Sequence, residues 1–176
     1  MPVEEALERL LAMAGSAPIL ERERLPLAAT QGRVLAEALI SSLDLPPWPN
    51  SAMDGYALRL EDWRGEPLPV SQRIFAGQAP EPLQPGTCAR IFTGAPVPAG
   101  ADCVEMQENA QVQDDQRVLF SEPLQLGQNI RPQGQETTVG EQVLAAGTRL
   151  GPIEQGLAAS LAVSYTHLRA HETPEH

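Results

Sequence analysis

The 176-residue sequence predicts a mixed α+β fold rich in β structure, in which a compact β subdomain is inserted into a helical one. Three observations lead there. Pro (17) and Gly (14) are frequent enough to forbid long helices and to demand many turns. The middle of the chain reads as short strand-like runs between Pro/Gly turns. Helical periodicity appears only towards the two ends.

In chain order, Val3, Leu7, Leu10, Leu11 and Ala14 recur at spacings of three and four, with Pro2 suited to a first helical position and Gly15 to a terminating cap. Residues 2–14 are therefore expected to form an amphipathic helix. After an extended piece at residues 25–27, Thr30 is expected to cap a second helix over residues 31–40, with Val34, Leu35, Ala38 and Leu39 on its apolar side. Pro46, Pro47 and Pro49 then force an extended path and mark a boundary. Residues 68–74, 87–93, 101–107 and 117–120 read as strands separated by turns such as Gln84-Pro85-Gly86. A further strand is expected over 140–147, near a Gly turn. A helix is expected over 152–163, with Ile153, Leu157, Ala158 and Leu161 inward. The resulting division gives residues 1–45 and 140–163 to the helical subdomain and 46–139 to the inserted β-rich one. Residues 164–176 hold all three histidines, lack an apolar period and are expected to be a non-native tail with no face to bury.

Bulk composition excludes several classes of function. The formal net charge is −11, every one of the 12 basic residues is Arg, and none adjoins another, so no nucleic-acid partner is expected. Cys88 and Cys103 have neither a CxxC nor a neighbouring His, and read as small buried apolar residues rather than zinc ligands. Glu4, Glu5 and Glu8 stand where a signal peptide would be apolar, and no apolar run reaches transmembrane length, so a cytoplasmic protein without membrane association is expected.

Three segments combine turn-forming residues with polar groups. In Asn50-Ser51-Ala52-Met53-Asp54-Gly55-Tyr56-Ala57, Asp54 is either a magnesium ligand or phosphate-adjacent base, or merely the shaper of an Asx-turn. In Ile91-Phe92-Thr93-Gly94-Ala95-Pro96, the turn is expected to offer amide N–H groups and the Thr93 hydroxyl to an oxyanion; otherwise it simply ends a strand. In Asn129-Ile130-Arg131-Pro132-Gln133-Gly134-Gln135-Glu136, Arg131 suits an oxyanion and Glu136 suits a magnesium ion shared with Asp54; otherwise the two form a surface ion pair. Glu105 is expected to be solvated and Glu108 to pair at a strand end.

Together and in this order, these segments resemble the signature of the molybdopterin molybdenumtransferases, the MoeA and gephyrin E-domain family. Residues 50–57 match its S-A-M-D-G-Y-A loop, residues 91–98 its strand followed by T-G-A-P-x-P, and Asn129-Ile130-Arg131 with Gly134 its N-I-R-x-x-G-E-D segment. Gly32-Arg33-Val34-Leu35-Ala36 and Ala146-Gly147-Thr148 also agree, so the resemblance spans about residues 2–163.

The resemblance implies a transferase that inserts molybdate into adenylylated molybdopterin with Mg2+. Asp54 and Glu136 become the catalytic and metal-binding acids; Ser51, Thr93, Gly94 and Arg131 become substrate contacts. It also implies a homodimer whose cleft lies against a later α/β domain of the partner subunit, so that this stretch alone is expected to be inactive. One departure stands out: where the family has Gly-Glu-Asp, this chain has Gly134-Gln135-Glu136. Two competing readings are a dimerisation or scaffold module, as in gephyrin-type relatives, and an unrelated magnesium-dependent phosphohydrolase.

Overall fold

The structure is a computed structural model that describes residues 2–15, 22–113, 115–121, 123–163 and 165–169. In chain order the strands and α-helices are α1 (Val3–Gly15), β1 (Arg22–Pro26), β2 (Val34–Leu35), β3 (Leu39–Ile40), β4 (Asn50–Ser51), β5 (Gly55–Leu58) and β6 (Leu68–Ile74). They continue with β7 (Cys88–Ile91), β8 (Cys103–Met106), β9 (Ala110–Val112), β10 (Arg117–Phe120), β11 (Ile130–Arg131), β12 (Gln142–Leu144), α2 (Pro152–Ser160) and β13 (Tyr165–Arg169). The fold is thus α+β and β-rich. It divides into two compact units, Met1–Ile40 with Gln142–His176, and Ser41–Glu141. Both α-helices among the described residues belong to the first unit.

In the Ser41–Glu141 unit, six strands form one sheet in the order β8-β5-β7-β6-β10-β9, antiparallel throughout except for the parallel pair β6 and β7. Alternation along β5 sends Tyr56 and Leu58 into a cluster with Leu68, Cys88, Val118 and Phe120, and Ala57 into a second cluster with Ile74, Ala89, Ile91 and Val104. Both faces of the sheet therefore carry a buried apolar cluster. Each fully buried Leu, Ile or Val there contributes roughly 1.5–3 kcal/mol of transfer free energy. Tyr56 and Trp63 both meet Phe120 edge to face, with centroids 5.9 and 6.3 Å away. Cys88 and Cys103 are buried free thiols, and burial pushes both up to about 12, so neither forms a reactive thiolate near neutral pH.

The first unit has a smaller core, in which Leu35 and Leu150 are buried and Leu25, Leu39 and Leu144 pack against them. The helix expected over residues 31–40 does not form. Gly32 lies in the left-handed region (φ 78), and the chain beyond it extends to pair with residues 147–150 through Gly32 N to Leu150 O, Leu150 N to Arg33 O and Leu35 N to Thr148 O. Val34, Leu35 and Leu39 thus serve two short strands instead of one helical face. Thr30 does not cap forward: its hydroxyl donates back to Leu27 O, and Gln155 of α2 donates to Thr30 Oγ1.

The two helices that do form differ from expectation in what they bury. Along α2, Ala158 is buried (3%), as is Leu161 just beyond it (1%), but Ile153 is 81% exposed and Leu157 38%. On α1, Val3, Leu7, Leu10 and Leu11 are exposed, so its apolar stripe is not covered by the described residues. Residues 165–169, for which no element is expected, form β13, hydrogen-bonded between β1 and β2.

Candidate active site

The three polar segments, far apart in sequence, are joined through β4. On one side β4 pairs with β11, matching Ser51 with Ile130 and Asn50 with Arg131. On the other, Ser51 N donates to Ala95 O and Gly94 N donates to Ser51 O. Ala52 N donates to Asn129 O. Backbone pairing therefore brings Ser51, Asp54, Thr93, Gly94 and Arg131 into one neighbourhood.

Within it, Asp54 and Thr93 form a direct pair. Asp54 Oδ1 accepts from the Thr93 hydroxyl at 2.7 Å and from the Thr93 backbone N–H at 2.8 Å. These bonds, the hydroxyl's first, hold the Asp54 carboxyl below the usual carboxylate range, and the positive charge of Arg90 adds to them. Its second oxygen, Oδ2, takes no hydrogen bond among the described residues. Asp54 is thus a half-buried, ionised carboxylate with one oxygen fixed and one available.

The side chain that shapes the turn is Ser51, whose hydroxyl donates to Met53 O at 2.5 Å and accepts from Met53 N at 3.3 Å. Fully buried Ser51 therefore acts as scaffold, and the Asx-turn reading of Asp54 does not apply. Gly55 is required by its neighbour: a Cβ there would sit 1.9 Å from the Glu105 carbonyl oxygen.

The expected cradle of free amides is absent. Thr93 N is held by Asp54, Gly94 N by Ser51 O, and Ala95 N by Phe92 O. What this loop offers a ligand is the exposed edge of Thr93 and Gly94, not a nest of N–H donors.

Arg131 is exposed, and its guanidinium forms no ion pair among the described residues. Glu136 is exposed as well; its backbone N donates to Leu45 O, while no hydrogen bond reaches its carboxylate among the described residues. The acid that anchors this loop is Asp44, which accepts from Gln133 Nε2 at 2.7 Å and from Val139 N at 2.9 Å. The described residues hold no group of three or more His, Cys, Asp or Glu able to bind a metal ion.

Glu105 is not solvated. It is 2% exposed and accepts from Asn109 Nδ2, Gln128 Nε2 and Met106 N, so neutral donors compensate its burial. Arg90 is the charged neighbour of Asp54 that the sequence does not single out. It donates to Gly55 O and to Gln107 Oε1, and lies over the rings of Tyr56 and Phe92 at 5.1 and 4.5 Å. Its signal was a lone Arg inside the apolar run Cys88-Ala89-Arg90-Ile91.

Comparison with known proteins identifies the family. Residues 1–162 match the family described as MoeA N-terminal region (domain I and II). The chain is 42% identical over 166 residues to a molybdopterin molybdenumtransferase of Synechococcus elongatus, covering 90% of this chain and 41% of the relative. It is 40% identical to a molybdopterin molybdenumtransferase of Haemophilus influenzae, covering 82% of this chain and 36% of that protein. A crystal structure of a molybdopterin biosynthesis moeA protein from Pyrococcus horikoshii superimposes with a TM-score of 0.77 at 33% identity, over 85% of this chain and 41% of that one. The chain spans about two fifths of the length of these relatives. With this extent of match, the chain belongs to the MoeA N-terminal region family.

Proposed function

We propose that this chain forms one wall of the active site of a molybdopterin molybdenumtransferase, which inserts molybdate into adenylylated molybdopterin during molybdenum cofactor biosynthesis. The observation that carries this reading is the Asp54–Thr93 pair, set where three family segments are hydrogen-bonded together. A carboxylate held below its usual pKa is a poor general base and a good anionic ligand. Asp54 is accordingly assigned to contact with a cation rather than to proton abstraction.

Magnesium is typically held by one or two carboxylates together with substrate phosphates and several waters, not by an all-protein cage. A single ionised Asp54 with a free Oδ2 fits that role, and Glu136 is the second acid proposed for it. Bound there, the ion would offset the charge of the substrate phosphate. The protein's own part is positional. Thr93 fixes the orientation of Asp54, Ser51 and Gly94 hold the two loops in register, and exposed Arg131 offers a fork of donors to an oxyanion. A phosphohydrolase that cradles phosphate on loop amides is disfavoured, because the amides of residues 93–95 are already engaged.

Homodimerisation is proposed with this activity, and the uncovered apolar stripe of α1 supports it. The test uses a protein of the relatives' full length carrying this sequence. There Asp54→Asn, which keeps both hydrogen bonds from Thr93 but removes the charge, should lower molybdenum insertion more than about tenfold with the fold intact. Near-normal insertion would return Asp54 to a structural role. Glu136→Gln should impair insertion more than Glu136→Asp, and equal small effects would remove Glu136 from the site. The 176-residue chain alone should show no turnover.

A further inference from the structure

Away from Asp54 and Thr93, the sheet of the Ser41–Glu141 unit holds a cavity of about 450 Å³. Strand pairing builds its polar row: Tyr56 on β5 is matched to Arg90 on β7, and Arg90 is matched to Arg73 on the parallel strand β6. Three adjacent strands thus place Tyr56, Arg90 and Arg73 in one cross-strand row, with neighbouring strands about 4.8 Å apart. Val70, Val112 and Val118 line the same cavity, and no acid does.

This arrangement is costly as it stands. Like charges directly opposed across neighbouring strands destabilise a sheet. Arg73 has no hydrogen bond or ion pair among the described residues, in a chain that carries 23 acids against 12 basic residues. Tyr56 is 8% exposed and lines the cavity, yet its hydroxyl has no partner among the described residues. Arg90 has NH1 on Gly55 O and Ile91 O and NH2 on Gln107, which leaves its Nε–H and one NH2 hydrogen without a partner among the described residues. Unpaired donors on one side and valine side chains on the other match an oxyanion attached to an apolar body. The volume is within the range of small-molecule sites, about 300–1,000 Å³.

We propose that this cavity binds a small organic anion, its oxyanion head held by Arg73, Arg90 and the Tyr56 hydroxyl and its apolar body against the three valines. Asp54, Thr93 and Arg131 do not line the cavity, which shares only Arg90 with their neighbourhood. Calorimetric titration of the 176-residue chain with phenyl phosphate, benzoate, inorganic phosphate and benzyl alcohol tests it. At least one of the two organic anions should bind at one site, about tenfold or more tighter than inorganic phosphate or benzyl alcohol, and whichever binds tighter identifies the head group. Arg73→Gln, a change at an exposed side chain, should weaken that binding about tenfold or more, and Tyr56→Phe should weaken it several-fold, both with unchanged melting temperature. The absence of saturable binding by either organic anion would overturn the proposal. So would equal affinity for inorganic phosphate, or binding that well-folded Arg73→Gln leaves unchanged.

Discussion

The two units are stabilised in different ways. The Ser41–Glu141 unit carries a buried apolar cluster on each face of one six-stranded sheet, and its polar segments are cross-linked by backbone hydrogen bonds at β4. The first unit closes around Leu35 and Leu150 and leaves the apolar side of α1 in solvent. The candidate site rests on the unit with the larger core. Asp54 and Thr93 lie on a scaffold with two buried apolar clusters, as a preorganised site requires.

The largest expected effect tests how tightly that scaffold is packed. In Gly55→Ala the new Cβ meets the Glu105 carbonyl at 1.9 Å, a backbone atom that cannot swing aside. The change should destabilise the Ser41–Glu141 unit by about 3 kcal/mol, measured by denaturant unfolding. A cost below about 1 kcal/mol would show that β5 and β8 can separate freely.

A smaller effect is expected in the first unit. Removing residues 165–176 takes away β13 from between β1 and β2 and should lower the melting temperature by more than about 4 °C, roughly 1 kcal/mol for a domain of this size. An unchanged melting temperature would mean that β1 and β2 do not depend on that strand, as the composition of residues 164–176 leads one to expect.

The smallest effect has the opposite sign. Gly156 lies inside α2, and a Cβ there meets nothing within 4 Å. Gly156→Ala should therefore stabilise the first unit by about 0.5–1 kcal/mol in thermal or denaturant unfolding. A loss of stability would show that α2 is packed more closely than its exposed Ile153 and Leu157 indicate.

Much of the fold was legible where one physical rule acted alone. β6 and β10 coincide with the runs read from sequence, because alternation and flanking turns define them without competition. α2 was legible from Pro152 at its first turn. β5 was not, since all four of its residues are buried and the strand has no polar alternation. Residues 31–40 were misread because Val34, Leu35, Ala38 and Leu39 satisfy helical spacing equally well, and only pairing with residues 147–150 decides between the two.

The site divides in the same way. Asp54, Thr93 and Arg131 could be singled out by residue type and turn context. Their arrangement could not, because the Asp54–Thr93 contact joins positions 39 apart. Local sequence likewise gives no sign that Glu105 is buried beneath Asn109 and Gln128.

Acid stability follows from the same hydrogen bonds. Asp54 is held down by Thr93, Glu141 by the Thr138 N–H and the Thr137 hydroxyl, and Asp115 by Arg117. In each case the folded form binds its proton less readily than the unfolded chain. The stabilisation is therefore complete above the ordinary carboxylate range and is lost as pH falls through the lowered folded values. The melting temperature of the Ser41–Glu141 unit should accordingly decline below about pH 4, and Asp54→Asn should flatten part of that decline.

Thr93 holds Asp54 as an ionised, oriented carboxylate. Titration of the Asp54 carboxyl carbon by NMR, in the wild-type chain and in Thr93→Val, tests it most directly. The wild-type group should titrate below its ordinary value of 3.8, and loss of the hydroxyl should move it back towards that value while the backbone N–H bond keeps part of the shift. An Asp54 that titrates at its ordinary value, or one that Thr93→Val leaves unmoved, would contradict the account.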